Sequence, residues 1–422
     1  MLVLDFRRKL TLESGLHASG LSQPFSKSMG PLHSIASQWL FEHLACPSCH
    51  QAVRAQQDGE ALRCQGCGDV GRTALGIPDF LAHRKHLDAA SAGTFDLEQD
   101  TAAALKLQEA SERLTFRELE ALAVELREGD DDIDLDSKTA KRFNEKYAEV
   151  QDEVGLRAGE ATFNRIDAYF EGLGRPHVSG GIALEAGGGH GLFLPDFSRR
   201  FDTVVLLDCS LVNIIVARKL AMECGLDNVS FVRADATALP FRSSSFDFIH
   251  EDNVIEHVAD PDSLVTEAVR VTRPSGTYVC LSPNRYSLAP EPHFRLPCFG
   301  FFPRSIRRPL IHKLRGVRTE QGTDPRSLRQ LRRYLTSAGV SDAHIFFLPR
   351  QLRRTARNTF FRRLVRASLA APIFGALVSS TINGPLLGLM PYHVALVSGR
   401  EKRLSSSSPT GELTSSFDPI AS

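Results

Sequence analysis

The chain has 422 residues, 50 Lys and Arg against 50 Asp and Glu, and 42% hydrophobic residues. This length predicts about two or three domains, and the apolar fraction excludes a mostly disordered or collagen-like chain. Zero net charge excludes a uniformly basic nucleic-acid binder, but residues 301–366 contain 17 Lys and Arg against 3 Asp and Glu. A local basic region can therefore meet an anionic partner.

Residues 1–44 carry no clear motif and are predicted to be an N-terminal extension. The first residues, MLVLDFRRKLTLESG, lack the apolar core of a secretory signal, so we expect a cytoplasmic, reducing setting. In such a setting, clustered cysteines favour a metal site over disulfides.

The next segment, residues 45–85, contains two Cys-x-x-Cys motifs, Cys46 with Cys49 and Cys64 with Cys67. Two such turns can bring four thiolates to one point, which is the closed tetrahedral shell of a structural zinc ion. The binding energy of the metal would fold a segment too small to build its own core. The sequence predicts a zinc ribbon, with unligated or redox thiols as the alternative.

The sequence around these cysteines, in residues 44–49, 62–67 and 75–81, resembles the small zinc-ribbon activator proteins of tRNA and rRNA methyltransferases. The resemblance covers about 40 residues. It implies a structural ribbon that supports a neighbouring methyltransferase domain, and it says nothing about the substrate.

Residues 86–160 are predicted to be an acidic helical linker, because apolar residues recur at helical spacing until GDDDIDLD interrupts them. Residues 161–400 alternate short apolar strands with amphipathic helices, which predicts an α/β, Rossmann-like sheet of seven strands. An insertion covers about 296–390, and residues 401–422 are predicted to be a disordered tail. The predicted strands are 182–185, 203–208, 229–233, 246–250, 277–282, 343–348 and 393–398.

A glycine-rich loop, from Glu185 through Gly187 and Gly189 to Gly191, follows the first predicted strand. Glycines there let the backbone turn sharply and let a ligand lie against bare main chain. The dinucleotide fingerprint requires a further glycine where this chain has Leu192, so the strict nicotinamide pattern fails.

Acidic residues follow the later strands: Asp208 ends the second, Asp235 follows the third, and Asp252 follows the fourth. In an open α/β sheet, ligands bind beyond the carboxyl ends of the strands. A carboxylate at the end of the second strand can accept hydrogen bonds from both hydroxyls of a ribose. The alternatives left open are glycines that serve packing alone and another nucleotide cofactor.

This order of motifs, between residues 181 and 284, resembles the class I S-adenosylmethionine-dependent methyltransferases, particularly the quinone-biosynthesis group. The resemblance implies that Glu185, Gly187 and Gly189 line the methionine part of the cofactor. It places Asp208 on the ribose hydroxyls and Asp235 with Ala236 at the adenine. Asp252 completes the set of candidate cofactor-binding residues.

Methyl transfer from a sulfonium is an in-line displacement that needs mainly alignment, with a base where the acceptor is a hydroxyl. His257, after the fourth strand, is a candidate base or a structural histidine. His293, past the fifth strand, is a candidate base or acceptor contact, or a residue that orders its loop. His190, in the glycine loop, is expected to be structural or near the cofactor carboxylate.

The arginine-rich insertion lies beside a segment, residues 367–399, that has no Asp, Glu, Lys or Arg and is interrupted by prolines. A basic region beside an apolar one suits an anionic amphiphile or a membrane surface. The alternatives are a membrane-spanning helix, a basic helix pair packed on the acidic residues 91–160, and a buried core segment.

The sequence as a whole predicts an S-adenosylmethionine-dependent methyltransferase acting on an oxygen of a small-molecule, glycan or lipid-linked acceptor. The alternative is an RNA base methyltransferase, favoured by the order of ribbon and methyltransferase domain. Against that alternative, the chain has one Trp and six Tyr, so aromatic side chains for base stacking are few. The third hypothesis is a non-catalytic scaffold, which the intact cofactor motifs disfavour.

Overall fold

The computed structural model describes residues 35–56, 61–89, 94–128, 178–287, 298–315, 323–346 and 392–398, with a few single residues between them. The candidate base His293, most of the charge-free segment 367–399 and the predicted tail lie outside the described residues.

The described helices and strands alternate through most of the chain. The helices are α1 (Ile35–His43), α2 (Leu97–Ser111), α3 (Phe116–Glu128), α4 (Leu194–Arg200), α5 (Leu211–Glu223), α6 (Pro261–Val271), α7 (Arg304–Arg315) and α8 (Leu328–Ser337). The strands are β1 (Val53–Ala55), β2 (Ala61–Cys64), β3 (Gly68–Ala74), β4 (Ile77–Asp79), β5 (His86–Asp88), β6 (Thr94–Asp96), β7 (Ile182–Ala186), β8 (Thr203–Asp208), β9 (Val229–Arg233), β10 (Phe246–Asp252), β11 (Thr272–Pro283), β12 (His344–Phe346) and β13 (Tyr392–Ser398).

The central sheet is mostly parallel. Its C-terminal part has the strand order β9-β8-β7-β10-β11-β13-β12, in which the first five strands are parallel and β13 runs antiparallel to both of its neighbours. The chain reverses its direction of growth between β7 and β10. The ends of these two strands are therefore the place where such a sheet opens a ligand crevice.

Four N-terminal strands extend this sheet. Strands β1 to β4 form an antiparallel series, and β4 joins β9 in parallel at Asp79 and Arg233. The N–H of Phe80 donates to the carbonyl of Arg233 over 2.9 Å. The sheet of the described residues thus has eleven strands, more than the seven predicted, because the cysteine-containing segment joins it instead of standing apart.

Helices cover both faces of the sheet. One buried cluster packs α1, α6 and α8 on one face, and a second packs α2 to α5 on the other. All six residues of β8 are buried, as expected of a parallel strand with helices on both sides.

The region predicted as an acidic linker contains the hairpin β5–β6 and the helices α2 and α3, which pack on α5. The N–H of Phe116 donates to Glu223 Oε1 over 2.9 Å, and Lys219 Nζ donates to the carbonyl of Ser111 over 2.9 Å. These helices therefore form part of the layer that covers the sheet.

Strand β11 begins directly after α6 and contains the sequence Arg273-Pro-Ser-Gly276. The register against β10 shifts there, from Phe246 opposite Thr272 to Phe248 opposite Thr277. These Pro and Gly residues form a bulge within the strand.

Among the described residues, no helix is long and apolar enough to cross a bilayer.

Candidate functional site

The glycine-rich loop crosses the carboxyl end of β8. The N–H groups of Gly187 and Gly188 donate to the carbonyl of Leu207 over 2.7 and 3.1 Å. Gly187 has φ of 72°, and a Cβ there would lie 2.5 Å from Val254 Cγ2, so a side chain has no room. Gly189 has φ of 53° and no atom within 4 Å of an added Cβ. The loop is therefore packed at Gly187 and opens a cradle at Gly189.

Asp208 is buried at the end of β8 and faces this loop. Its Oδ2 accepts the N–H of Gly189 over 2.9 Å, and its Oδ1 accepts the N–H of Ser210 and the side-chain amide of Asn213 over 2.8 and 3.1 Å. The carboxylate is thus held beside the cradle in one orientation.

Glu185, on β7, is the most buried of the candidate acidic groups at this edge. Within the described part of the chain, its Oε2 has no hydrogen-bond partner. Burial raises the pKa of Glu185 well above its ordinary value, and the charges of Asp252 and Asp208 raise it further. A buried, unpaired carboxyl oxygen beside two other carboxylates destabilises the folded protein. A cationic ligand, or one with hydrogen-bond donors, would reduce this destabilisation.

Asp252, at the end of β10, shares this environment. Burial raises the pKa of Asp252 to about 7. Its Oδ1 accepts the side-chain amide of Asn253 over 2.8 Å, and the buried Oδ1 of Asn253 has no partner among the described residues. Among the described residues, Glu185 and Asn253 therefore each leave one buried acceptor atom without a donor near the carboxyl ends of β7 and β10.

Asp235 and Ala236 follow β9, on the other side of Asp208. Asp235 Oδ1 accepts the N–H and the hydroxyl of Thr237 over 2.9 and 2.6 Å. Its Oδ2 lies 3.4 Å from Arg84 Nη1, which belongs to the cysteine-containing segment. The N-terminal segment therefore reaches the predicted adenine side of the site.

The buried Arg233 connects β9 with β4 and α2 on the N-terminal side of the site. Arg233 ends β9, and its guanidinium contacts Asp79 on β4 over 3.2 Å and Asp100 on α2 over 3.0 Å. Asp100 in turn accepts the hydroxyl of Ser210 and the N–H of Leu211 over 2.6 Å each. The contacts of Asp100 hold the start of α5 next to Asp208.

His190 lies against helix α3 at the other end of the loop. Its Nδ1 is 2.9 Å from Glu120 Oε1. Burial opposes the ionisation of Glu120, but the hydrogen bond and charge of His190, together with Arg117, hold its pKa below the usual value. Arg84, Asp100, Glu120 and Arg233 were missed in the sequence, because each contact joins residues far apart in the chain.

The candidate base His257 is half-buried in the loop after β10. Its N–H donates to the carbonyl of Val254 over 2.9 Å. The loop is tied to residues 323–327, since the N–H of Asp324 donates to Glu256 O over 2.8 Å and Arg326 Nη2 donates to Val258 O over 3.0 Å. The structure thus places His257 at the sheet edge, and its role as a base stays a prediction.

His250, on β10, has no place among the candidate bases. Burial lowers its pKa to about 3, so the ring is neutral at pH 7. It packs among the aromatic rings of Phe193 and Phe197, with centroids at 4.9 and 5.6 Å.

The four clustered cysteines converge at the N-terminal end of the sheet. The sulfur atoms of Cys46, Cys49, Cys64 and Cys67 all lie within 4.8 Å of one another. A tetrahedral zinc ion with Zn–S bonds of about 2.3 Å needs sulfurs about 3.8 Å apart. The donor set and its spacing therefore fit a zinc ion, while the resemblance of this segment to the activator proteins stays a prediction.

Comparison with known proteins identifies the domain that contains the cradle. Residues 184–280 match the sequence model of a family described as a methyltransferase domain. The chain is 34% identical over 119 residues to a ubiquinone/menaquinone biosynthesis C-methyltransferase of Brucella anthropi, covering 27% of this chain and 45% of that protein. It is 32% identical over 162 residues to a ubiquinone biosynthesis O-methyltransferase of Sinorhizobium fredii, covering 36% and 65%.

Among solved structures, the chain is similar to phosphoethanolamine N-methyltransferase 2 of Haemonchus contortus, with 15% identity and a TM-score of 0.36 over 56% of this chain and 53% of that one. The chain spans about half to two thirds of the length of the two curated relatives. The sequence matches identify a methyltransferase domain that includes residues 184–280.

Proposed function

We propose that this chain transfers a methyl group from S-adenosylmethionine to an oxygen atom of a small-molecule, glycan or lipid-linked acceptor. The observation that supports this most directly is the buried, unpartnered Oε2 of Glu185 beside the open cradle at Gly189. Both features lie within the residues that match the methyltransferase family.

The buried carboxyl group of Glu185 and the open space beside Gly189 support a cationic cofactor at this position. When bound, S-adenosylmethionine supplies a methyl group already activated on a sulfonium. Glu185, Gly187 and Gly189 would hold its methionine part, where a nearby positive charge favours the ionised form of Glu185. Asp208 would accept hydrogen bonds from the ribose hydroxyls, and Asp235 with Ala236 would border the adenine.

Because the methyl group is already activated, the protein mainly has to align the acceptor with the methyl group and exclude water from the site. His257, in the loop after β10, would hold or accept the proton of an acceptor hydroxyl. His293 has the same proposed role and lies outside the described residues. Asp252 would border the cofactor from the end of β10.

The curated relatives support a small acceptor over RNA. Their names describe methyl transfer in quinone biosynthesis, at carbon in one case and at oxygen in the other. Neither supports the alternative of an RNA base methyltransferase.

We also propose that Cys46, Cys49, Cys64 and Cys67 hold one zinc ion. A closed shell of four thiolates leaves no position for water or substrate, so the metal would be structural. Its task would be to keep strands β1 to β4 folded where β4 meets β9.

The proposal is tested by incubating the purified chain with S-adenosylmethionine labelled in its methyl group and separate extracts of lipids, polar metabolites and RNA. We expect the label in one lipid or polar product, bound through oxygen. The matched variants are Glu185→Gln, which is expected to lose transfer, and Glu109→Gln, an exposed glutamate on α2 that is expected to keep it. Label in RNA alone would overturn the choice of acceptor, and label in no extract would count against the activity.

A further inference from the structure

Exposed apolar side chains cluster in one part of the described chain. Five of its eight exposed large hydrophobic residues fall between residues 286 and 314, with exposed fractions from 38% to 49%. We call this the 286–314 patch, and its members are Tyr286, Phe301, Phe302, Ile306 and Leu314. The rings of Tyr286 and Phe301 contact each other, with centroids 5.4 Å apart. Single exposed apolar residues are ordinary on a protein surface, whereas neighbouring exposed apolar residues, such as Tyr286 and Phe301 here, are typical of interaction sites.

Helix α7 carries part of this patch and a strong positive charge. Its sequence, RSIRRPLIHKLR, contains five Lys and Arg, one His and no acidic residue. Arg307 and Ile311, one turn apart, are buried and define the face that rests on the protein body. Ile306 and Lys313 are exposed, so the helix presents apolar and cationic groups to the outside together.

The patch is anchored at the carboxyl edge of the sheet. Tyr286 follows β11, and its N–H donates to Asn284 Oδ1 over 3.1 Å. Asp324 Oδ1 lies 3.7 Å from a guanidinium nitrogen of Arg285 and 3.7 Å from one of Arg307. These ion pairs connect the patch to the loop that contains His257, because Asp324 is also bonded to that loop. The patch therefore lies beside the edge where the acceptor is proposed to enter.

We propose that the 286–314 patch docks on the surface of an anionic lipid bilayer. A helix with cations and no acids is attracted to anionic headgroups, and apolar side chains next to those cations can enter the boundary between headgroups and acyl chains. RNA would share the attraction to cations, and the aromatic rings of the patch could stack on bases. The aliphatic side chains of Ile306 and Leu314 on the same helix as Lys313 favour a lipid boundary instead, because aliphatic groups enter acyl chains and do not stack on bases. Among the described residues no helix spans a membrane, so the contact is at the surface.

This inference goes beyond the proposed methyl transfer and does not require it, because none of the patch residues belongs to the glycine loop or to the candidate cofactor-binding residues. If both hold, the protein would meet a lipid-linked acceptor with the edge that bears the end of β10 facing the bilayer.

The test is co-sedimentation of the purified full chain with vesicles of phosphatidylcholine alone or with about one third phosphatidylglycerol. We expect at least about tenfold more protein on the anionic vesicles, and less binding as salt rises, because screening weakens the charge attraction. The double variant Ile306→Ser/Leu314→Ser should lose most of this binding. Its matched control is Leu105→Ser/Val124→Ser, which removes two equally exposed apolar side chains from α2 and α3 and should bind like the wild type.

The charge contribution is tested by Lys313→Glu, which should weaken binding to anionic vesicles several-fold. Equal binding of the wild type to both vesicle types, equal loss in the two double variants, or salt-sensitive binding to RNA without vesicle binding would each overturn the proposal. Calorimetry with S-adenosylhomocysteine on the same variants separates the two ideas. Unchanged cofactor affinity with lost vesicle binding supports the patch, and absent cofactor affinity with intact vesicle binding refutes only the methyltransferase.

Discussion

The two sides of the candidate site are built differently. On the N-terminal side, residues 35–128 meet the sheet through buried pairs of opposite charge, above all Arg233 with Asp79 and Asp100. On the C-terminal side, residues 284–346 place arginines around one carboxylate, Asp324, and leave apolar side chains exposed. The first side is fixed by buried charge pairs, whereas the second leaves apolar surface exposed to solvent.

Removal of the metal tests the N-terminal side most severely. If four thiolates hold zinc, metal analysis should find one zinc per chain, and chelation or Cys64→Ser should abolish it. Binding energy of roughly 10–16 kcal/mol has been associated with such sites in small zinc peptides, so amide protection in residues 44–81 should disappear. Affinity for S-adenosylhomocysteine should fall as well, because Arg84 would no longer position Asp235 at the predicted adenine side. Wild-type protein without zinc would remove this part of the account.

Replacement of Arg233 is the next largest expected effect. Arg233→Met leaves the carboxylates of Asp79 and Asp100 buried without their cation, so the free energy of unfolding should fall by about 3–5 kcal/mol. Arg63→Met breaks an exposed pair with Asp69 and should cost less than about 1 kcal/mol. Denaturant unfolding measures both changes. Similar losses of unfolding free energy in the two variants would show that the packing of residues 35–128 on the sheet does not depend on the buried charge pairs.

A pH dependence is expected from Glu251, which lies between the two sides on β10. Tyr278 donates its hydroxyl to Glu251 Oε2 over 2.7 Å, yet burial raises the pKa of Glu251 to about 8. The folded state therefore keeps the proton that the unfolded state releases near pH 4.5, and stability falls as pH rises from about 4.5 to 8.

The measurement is the free energy of unfolding at pH 5 and pH 8 for the wild type, Glu251→Gln and the exposed control Glu109→Gln. Each unit of pKa difference corresponds to about 1.4 kcal/mol. The wild type and the control should both lose stability toward pH 8, and Glu251→Gln should lose less. Parallel declines in all three proteins would contradict a protonated Glu251.

The pair of Glu120 and His190 should show the smallest effect. The pKa of Glu120 is lowered in the folded state, so its ionised form stabilises the fold at pH values above the ordinary pKa of a glutamate. This stabilisation is lost as the pH falls through the folded-state pKa. Glu120→Gln should lower stability by about 0.5–1 kcal/mol at pH 7 and by nothing near pH 3. A difference from the wild type that persists at pH 3 would indicate a packing defect instead.

The C-terminal half of the fold was the more predictable from the sequence. Strands β8 and β9 have the predicted bounds, because short apolar strands bounded by Gly, Asp and Pro are a local signal. The glycine loop and the carboxylates after the strands were found for the same reason. The bulge at 273–276 was missed, since Pro and Gly interrupt a helix and a strand alike.

The packing of residues 35–128 against the sheet was not predictable from the sequence, because it depends on tertiary contacts between residues far apart in the chain. Arg84 and Asp235 are 151 residues apart, and Arg233 and Asp79 are 154 apart. No periodicity or motif marks such pairs. A buried arginine at the end of a strand is the one local feature that could have directed attention there, since a buried charge requires a partner.

The central claim is that the glycine loop and Asp208 together hold S-adenosylmethionine at the carboxyl edge of the sheet, and calorimetric titration with S-adenosylhomocysteine tests it most directly. The wild type should bind one equivalent per chain. Asp208→Ala should bind at least about a hundredfold more weakly, because it loses charge-assisted hydrogen bonds to the ribose. Asp227→Ala, which changes an exposed carboxylate before β9, should bind like the wild type. Unchanged affinity in Asp208→Ala, or no binding by the wild type, would contradict the account.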